Sequence, residues 1–488
     1  MVKSSRRGFV MGASALAITA FDPLHRTWLT EAHAQRRGGD SCGAIHIPRL
    51  DGELTTDAAA LAEAASDFGN IISRTPRAVL RPGSERDVRR LIRFCNRHDI
   101  KVAMRGQGHA VLGEAQVDCG VVIDSRTLDA IHSIGPDGAD VDAGVKWSTL
   151  LLAALDEGLT PLVLADYLEI SVGGVLSVGG IGGNMNRVGA VVDNVDEIRF
   201  VTGEGRRRVC NRRRNRALFE GALGGLGQFG VITGAKIPLG PAPALVRVYE
   251  LVYTSVSDYL ADQRVLVNDA RFGYHEGQII PAAGGGWAFK VEVGAYYTPP
   301  SEPDDSALLA GLSPDGSTTI TDFPYFVWLN RVAFAEQALR DLGLWDTPNP
   351  WSDLFLPDCH IEDYLVHDVL PFLTPDAVGA GLQLLYPFRR NKITRPFFKM
   401  PNDSIVWAYD ILRFPFDPST TDALLEENRR LYERAVARGG KQYPIGAVEL
   451  TQREWVRHYG RDFLRFVSLK GRHDRRNIMT PGQGIFRF

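Results

Sequence analysis

The sequence predicts a two-domain α+β protein, and three observations carry that reading. A chain of 488 residues is too long for a single hydrophobic core. From Arg77 onward, short apolar β segments alternate with amphipathic helical ones, the order of an α/β domain. Across residues 246–446 the texture changes: aromatic and β-branched runs alternate with longer helical runs, which suits a mainly antiparallel sheet covered by helices. An apolar fraction of 44% and a charged fraction of 23% are those of an ordinary globular chain.

At the N-terminus, Ser5-Arg6-Arg7-Gly8-Phe9-Val10-Met11 is a twin-arginine signature. An apolar stretch over residues 8–21 and an Ala32-His33-Ala34 cleavage site follow it. The stretch is shorter than the ~20 residues that span a bilayer. Residues 1–34 are therefore expected to be a twin-arginine signal peptide leading to the periplasm or beyond, with no membrane anchor. Residues 35–60 read as a flexible leader. Residues 61–245 make the first domain, 246–446 the second, and 447–488 a return to the first.

In the first domain, residues 78–80 form a strand ending at Pro82-Gly83. Ser84 is placed to cap the next helix, with Asp87 completing a capping box. Val88, Leu91, Ile92 and Cys95 fall on one helical face. Residues 100–104 are the next strand, and they deliver the chain into Arg105-Gly106-Gln107-Gly108-His109-Ala110. Strand, helix, strand, glycine loop is a ligand-binding order in α/β folds. Residues 121–123 give a third strand, and 141–145 lead into a helix over 147–157. The segment from Asp166 to Gly189 is dense in glycine, a second glycine group runs from 221 to 230, and prolines 238, 241 and 243 mark the domain boundary.

Without residues 1–34 the chain has 51 basic and 56 acidic side chains, a net of −5. That balance argues against a general nucleic-acid or anionic-membrane binder. Seven arginines between 206 and 216 are the local exception, and they read best as a solvated hairpin edge after a strand over 197–202. Cysteines 42, 95, 119, 210 and 359 include no CxxC pair, so no disulfide framework is expected. No His/Cys/Asp/Glu cluster has metal-ligand spacing, so no metal is expected.

Glycine lets a backbone approach a bulky ligand closely, and a histidine held in such a loop is placed to bond to that ligand. The G-x-G-x-x-G spacing of classical dinucleotide folds is absent, because Gly113 is the next glycine after Gly108. On composition alone His109 reads as a structural loop histidine, and Asp166 as a turn or cap residue.

Longer motifs change that reading. Arg105 to Ala110, Asp166-Tyr167-Leu168-Glu169-Ile170-Ser171-Val172-Gly173-Gly174-Val175-Leu176-Ser177, residues 224–233, His458-Tyr459-Gly460 and Pro481-Gly482-Gln483 resemble, in order, motifs of the vanillyl-alcohol-oxidase-type (PCMH-type) flavoproteins. The cytokinin dehydrogenase branch is the nearest in kind. Segments of the second domain, including Glu276-Gly277, Asn330-Arg331-Val332 and Tyr386-Pro387, match it too, so the resemblance spans nearly the whole chain after the leader. It implies a PCMH-type α/β FAD-binding domain and a substrate domain with an antiparallel sheet. It implies FAD, covalently held through His109. It also implies a small-molecule substrate, oxygen or a quinone as electron acceptor, and a monomer.

Cofactor contacts are expected from Arg105, Gly106, Gln107, Gly108, His109, Ala110, Asp166, Val172, Gly173, Gly174, Ser177, Gly179, Gly182, Gly183, Gly230, Ile232 and Gln483. The backbone N–H groups of Gly173, Gly174, Gly182 and Gly183 are expected to meet the pyrophosphate. Asp166, among apolar neighbours, is the expected base, and Glu276 a residue of the pocket rim. The implied reaction is oxidation of the C–N bond of a secondary amine; a sugar or alcohol oxidase, and a flavin-binding protein without turnover, are the alternatives.

The sequence also departs from the branch. Alanine stands at 110 where the branch has serine. Leu164-Ala165 replace Trp-Thr before Asp166, and His473-Asp474-Arg475 replace Phe-Asp-Pro. No cysteine lies near Glu169, so a single covalent flavin bond is expected.

Overall fold

The computed structural model describes residues 45–282 and 284–486 together with the strands Ile18–Asp22 and Thr27–Thr30. The chain forms two contact units, Met1–Arg49 and Leu50–Phe488. In the first, Ile18–Asp22, Thr27–Thr30 and Ile45–His46 make an antiparallel sheet. The twin-arginine motif and the Ala32-His33-Ala34 site lie outside the described residues.

The second unit is built on three large sheets. The four-stranded sheet runs Glu53–Thr55, Ala78–Arg81, Val121–Asp124, Val102–Arg105, parallel except for its first pair. Its Val79, Ala103 and Val122 pack on Ala60 and Ala64 of the helix Ala58–Ala64. The five-stranded sheet, Arg207–Asn211, Glu197–Thr202, Gly230–Ile237, Gly138–Asp142, Ile131–Gly135, is antiparallel throughout.

Two expectations for the first domain need correction. The leader over residues 35–60 is not all loop: Glu53–Thr55 pairs with Ala78–Arg81 and the helix Ala58–Ala64 covers the sheet. Three residues are too few to show an alternating pattern. The capping box is also absent. Ser84 is the N-cap, but its hydroxyl donates to Asp51 (2.8 Å) and makes no bond to the helix. Asp87 is fully buried and accepts the N–H groups of Asp51 (2.7 Å), Gly52 (2.7 Å) and Gly83 (3.0 Å). The carboxylate thus ties the segment before the edge strand to the helix Glu85–His98.

The eight-stranded antiparallel sheet runs Thr318–Pro324, Leu245–Tyr253, Trp287–Tyr297, Tyr274–Pro281, Leu382–Arg389, Ile405–Leu412, Ser352–Pro357, Lys441–Gln442. Successive side chains point to opposite faces, and here the faces differ in chemistry. One carries Leu251, Val291, Val293, Ile279, Leu385 and Tyr409, all buried. The helix Val256–Asp269 packs on it, where Tyr259 donates to the Leu385 carbonyl (2.9 Å) and Gln263 bonds His275 (3.0 Å). The other face carries Tyr274, Glu276, Glu292, Tyr386, Asp410 and Asp353.

The last residues run back to the first sheet. Val102 N–H donates to Ile478 O, and Thr480 N–H to Val102 O, each at 2.8 Å. Buried Lys470 braces this return by donating to Gln228 O (2.9 Å) and pairing with Asp474 (2.8 Å).

The arginine-rich hairpin is largely dispersed in local contacts: Arg206 with Glu204, Arg207 with Glu85, Arg216 with Glu220, and Arg212 on the Asp193 carbonyl. Cys95, Cys119, Cys210 and Cys359 are unpaired. Among the described residues no three His, Cys, Asp or Glu side chains could hold a metal ion, and no helix is long and apolar enough to cross a membrane.

Removing the Asp87 carboxylate leaves three N–H groups without their acceptor. Asp87→Ala is expected to cost roughly 3–5 kcal/mol in denaturant unfolding. A loss below about 1 kcal/mol would contradict that role.

Candidate active site

The strand Val102–Arg105 ends in the glycine loop because Arg105 turns back beneath it. Its guanidinium donates to the Ser66 carbonyl, and its own carbonyl accepts Ser125 Oγ (3.0 Å). Gly108 has φ +78°, and a Cβ there would overlap the Arg105 guanidinium, so both conformation and space require glycine. The loop is held through its carbonyls: Gly108 O accepts Phe68 N–H (2.8 Å) and Ala110 O accepts Gly69 N–H (3.1 Å). The N–H groups of Gln107, Gly108, His109 and Ala110 have no partner among the described residues. Successive N–H groups of this kind suit an anion.

His109 is packed among rings. Its centroid lies 4.2 Å from Phe68, 4.7 Å from Tyr167, 5.5 Å from Trp351 and 6.1 Å from Trp345. Burial pushes its pKa down to about 3, so the imidazole is neutral. It makes no hydrogen bond to another described residue, and a ring nitrogen is left with a free lone pair.

Asp166 lies in the loop after the strand Leu159–Pro161 and faces the polar side of the large sheet. Tyr274 donates to it (3.1 Å), and so does Gly183 N–H. Arg331 donates to Tyr274 Oη and to Glu276 Oε2 (3.2 Å), and its Nη2 lies 3.8 Å from Glu292 Oε1. The guanidinium is flanked by the Trp328 ring at 4.3 Å and the Tyr274 ring at 4.9 Å. Three carboxyls share this space with Arg331, and Lys290, paired first with Glu250 (2.7 Å), reaches only Glu292 (3.5 Å), so protons stay on. Burial, and then the Asp166 charge, push Glu276 up to about 8. Burial also raises Asp166 against the pull of Arg331 and of the hydrogen bond from Glu276, and raises Glu292. Glu276 Oε1 has no hydrogen-bond partner among the described residues, and the raised pKa leaves Glu276 able to hold a proton beside Asp166. Glu276 is thus a buried partner of Asp166, and the expectation of a rim residue is corrected.

The glycine-dense segment divides. Val172 and Gly173 N–H groups donate to Val145 O and Ala143 O (2.8 Å each), and Gly174 N–H to Ser171 Oγ (3.3 Å). These amides are already engaged, so the expected pyrophosphate donation from Gly173 and Gly174 is corrected to helix-to-strand packing. Ser177 bonds back to Gly173 O (2.7 Å), and Gly179 N–H bonds Val175 O (2.9 Å). Gly182 and Gly183 lie beside Asp166. A Cβ on Gly183 would stand 2.5 Å from the Tyr274 ring, and one on Gly182 3.2 Å from Asp166 Oδ1. Gly230 and Ile232 sit in the five-stranded sheet. Gln483 lines a cavity with Glu114 and Gly446.

Sequence reading missed Arg331, Tyr274 and Glu292 as site residues. The alternation Tyr274-x-Glu276-x-Gln278, which sets three polar side chains on one face of a strand, was the available signal.

Two family profiles match the chain: an FAD binding domain over residues 76–211, and "Cytokinin dehydrogenase 1, FAD and cytokinin binding" over residues 281–486. An uncharacterized oxidoreductase, ORF5 in the fasciation locus of Rhodococcoides fascians, is 37% identical over 434 residues, covering 89% of this chain and 99% of that one. Cytokinin dehydrogenase 2 of Arabidopsis thaliana is 34% identical over 480 residues, covering 91% and 95%. Cytokinin dehydrogenase 6 of Oryza sativa subsp. japonica is 35% identical over 495 residues, covering 91% and 93%.

A carboxyl whose pKa is raised by folding makes the fold less stable as pH rises from its unfolded value to its folded one. For Glu276 that window runs from 4.5 to about 8. Thermal unfolding across this range is expected to show a decline that Glu276→Gln makes shallower, the remainder belonging to the other raised carboxyls such as Asp353. Parallel curves for the two proteins would contradict the buried, proton-holding role.

Proposed function

Because the chain belongs to the cytokinin dehydrogenase family of FAD-dependent oxidoreductases, we propose that it oxidises the C–N bond of a secondary amine with Asp166 as the base. The observation that carries this reading is the enclosure of Asp166: Tyr274 donates to it (3.1 Å), Arg331 bridges Tyr274 and the buried Glu276, and burial raises both carboxyls. A carboxylate surrounded this way has a proton affinity nearer neutrality than a solvated one, which suits proton exchange at working pH.

FAD, when bound, supplies the hydride acceptor. The unbonded N–H groups of Gln107, Gly108, His109 and Ala110 would hold its pyrophosphate, and the neutral His109 nitrogen would hold its ring covalently. Asp166 takes the N–H proton of the substrate while the nitrogen electron pair moves into the C=N bond. Glu276 keeps the shared proton and so leaves Asp166 ionised; Arg331 holds Glu276 and Tyr274 in place. The imine formed hydrolyses to an aldehyde and an amine. Leu164, in place of the branch's tryptophan, removes a large wall near the reacting end, so which amine is taken is a question for the substrate panel. The twin-arginine motif supports export of the folded, loaded protein.

Anaerobic bleaching of the flavin by a panel of isoprenoid adenines, other secondary amines, sugars and alcohols tests the reaction. Amines are expected to bleach it, and bleaching by sugars or alcohols alone would overturn the reading. With a bleaching amine, Asp166→Asn is expected to slow flavin reduction by about 10²–10⁴; unchanged turnover would remove Asp166 from the role. On denaturing gels the flavin is expected to travel with the wild-type polypeptide and to be lost from His109→Ala.

A further inference from the structure

The roof of the site holds two acids that the reaction above does not use. Asp353 and Asp410 stand directly opposite each other on the antiparallel strands Ser352–Pro357 and Ile405–Leu412, on the face away from the helices. They are 2% and 3% exposed. Asp353 Oδ2 and Asp410 Oδ1 each lack a hydrogen-bond partner among the described residues. Directly opposed residues bring their side chains to about 5 Å, and two like charges that close in a buried place do not both ionise. The pair keeps a proton between its members: burial pushes Asp353 up to about 7, and burial with the Asp353 charge raises Asp410 well above the usual carboxylate range.

Each end of the pair leads somewhere. The neighbouring strand Leu382–Arg389 presents Tyr386 to the same face. This phenol is 2% exposed, has no partner among the described residues, and feels the charges of Asp166, Asp410 and Glu276. The strand beyond it carries Glu276. At the other end, Asp353 Oδ2 faces the bare Cα of Gly446, where a Cβ would stand 2.5 Å away. Gly446 and Glu114 line a cavity of about 30 Å³, room for about two waters, with exposed Glu449 among its lining residues. Glu114 faces Asp353 from the His109 loop, with Asp67 behind it. Tyr443 also faces the pair, its hydroxyl held by Gly180 N–H (3.0 Å), and Arg331 is the cation at the Glu276 end.

We propose that Asp166, Glu276, Tyr386, Asp410, Asp353 and Glu114 form a proton path that empties the base after each turnover into the cavity beside Gln483. The proposal rests on Asp166 being that base. Tyr386 makes no direct hydrogen bond to either acid, so a water on each side carries the hop: Glu276 gives its proton through one water to the Tyr386 oxygen as the phenolic proton moves through another to the Asp410–Asp353 pair. The pair's held proton moves to Glu114 and on to water in the cavity, and Glu276 recovers a proton from Asp166. In every hop one O–H bond breaks and one forms. No electrons move, and one proton enters for each that leaves.

The flavin-loaded enzyme tests this with an amine that bleaches it, comparing wild type with Asp410→Asn and Tyr386→Phe. Asp166 is already empty before the first turnover. Flavin reduction in a single anaerobic turnover is therefore expected to stay within about twofold of wild type. Steady-state kcat at saturating acceptor is expected to fall about tenfold or more near neutral pH and to recover as pH is raised or as a small weak acid such as formate is added. A kcat within about twofold of wild type overturns the path. So does a parallel loss of single-turnover rate and kcat without recovery, which would mark the residues as holders of structure. Tyr386→Phe removes one oxygen and keeps the ring, so it carries the test if Asp410→Asn does not fold. If no amine bleaches the wild type, the amine-oxidation reading itself fails, an outcome distinct from these.

Discussion

Arg331 is the positive charge around which the site is arranged. Asp166, Glu276 and Glu292 all feel it, and Tyr274 accepts its hydrogen bond. Arg331 cannot compensate three buried carboxylates, and Lys290, shared with Glu250, reaches only Glu292, so the surplus is met by protons that stay bound. The rings of Trp328 and Tyr274 fix the guanidinium, and a fixed charge decides which carboxyl ionises first. The same imbalance makes the cluster costly for the fold and serviceable for chemistry.

The large sheet makes this crowding possible. Strand alternation puts Leu385, Tyr409 and Val291 against helices and sends Tyr386, Asp410 and Glu292 the other way. The helix side supplies apolar burial, and the opposite side is free to collect ionisable groups. The His109 loop works by a different rule. Its carbonyls are taken by Phe68 and Gly69, its amides are left over, and its histidine is kept neutral by rings. One wall of the site is therefore organised by side-chain charge and the other by backbone polarity.

Much of the fold was legible because its periods are long. The strands Leu245–Tyr253 and Ile405–Leu412 and the helices Val256–Asp269 and Thr421–Ala437 are the alternation of strand and helix expected across residues 246–446. The strand, helix, strand, glycine loop order also stands, because Gly108 needs a conformation that glycine adopts readily. The strand Glu53–Thr55 was hidden by its brevity, and the role of Asp87 by partners more than thirty residues away in sequence. Gly182 and Gly183 show a more general limit. A glycine announces a close approach without saying what approaches, and here it is the Tyr274 ring and the Asp166 carboxylate. The pairing of Asp353 with Asp410 depends on strand register across more than fifty residues, which no local pattern reveals.

The return of residues 478–480 to Val102 has a consequence for biosynthesis. The strand that carries Arg105 into the His109 loop gains its second neighbour only when the far end of the polypeptide arrives. A ribosome must therefore make nearly five hundred residues before the cradle is braced on both sides. A protein interrupted before residue 478 would carry His109 and Asp166 and still leave that strand with one edge open.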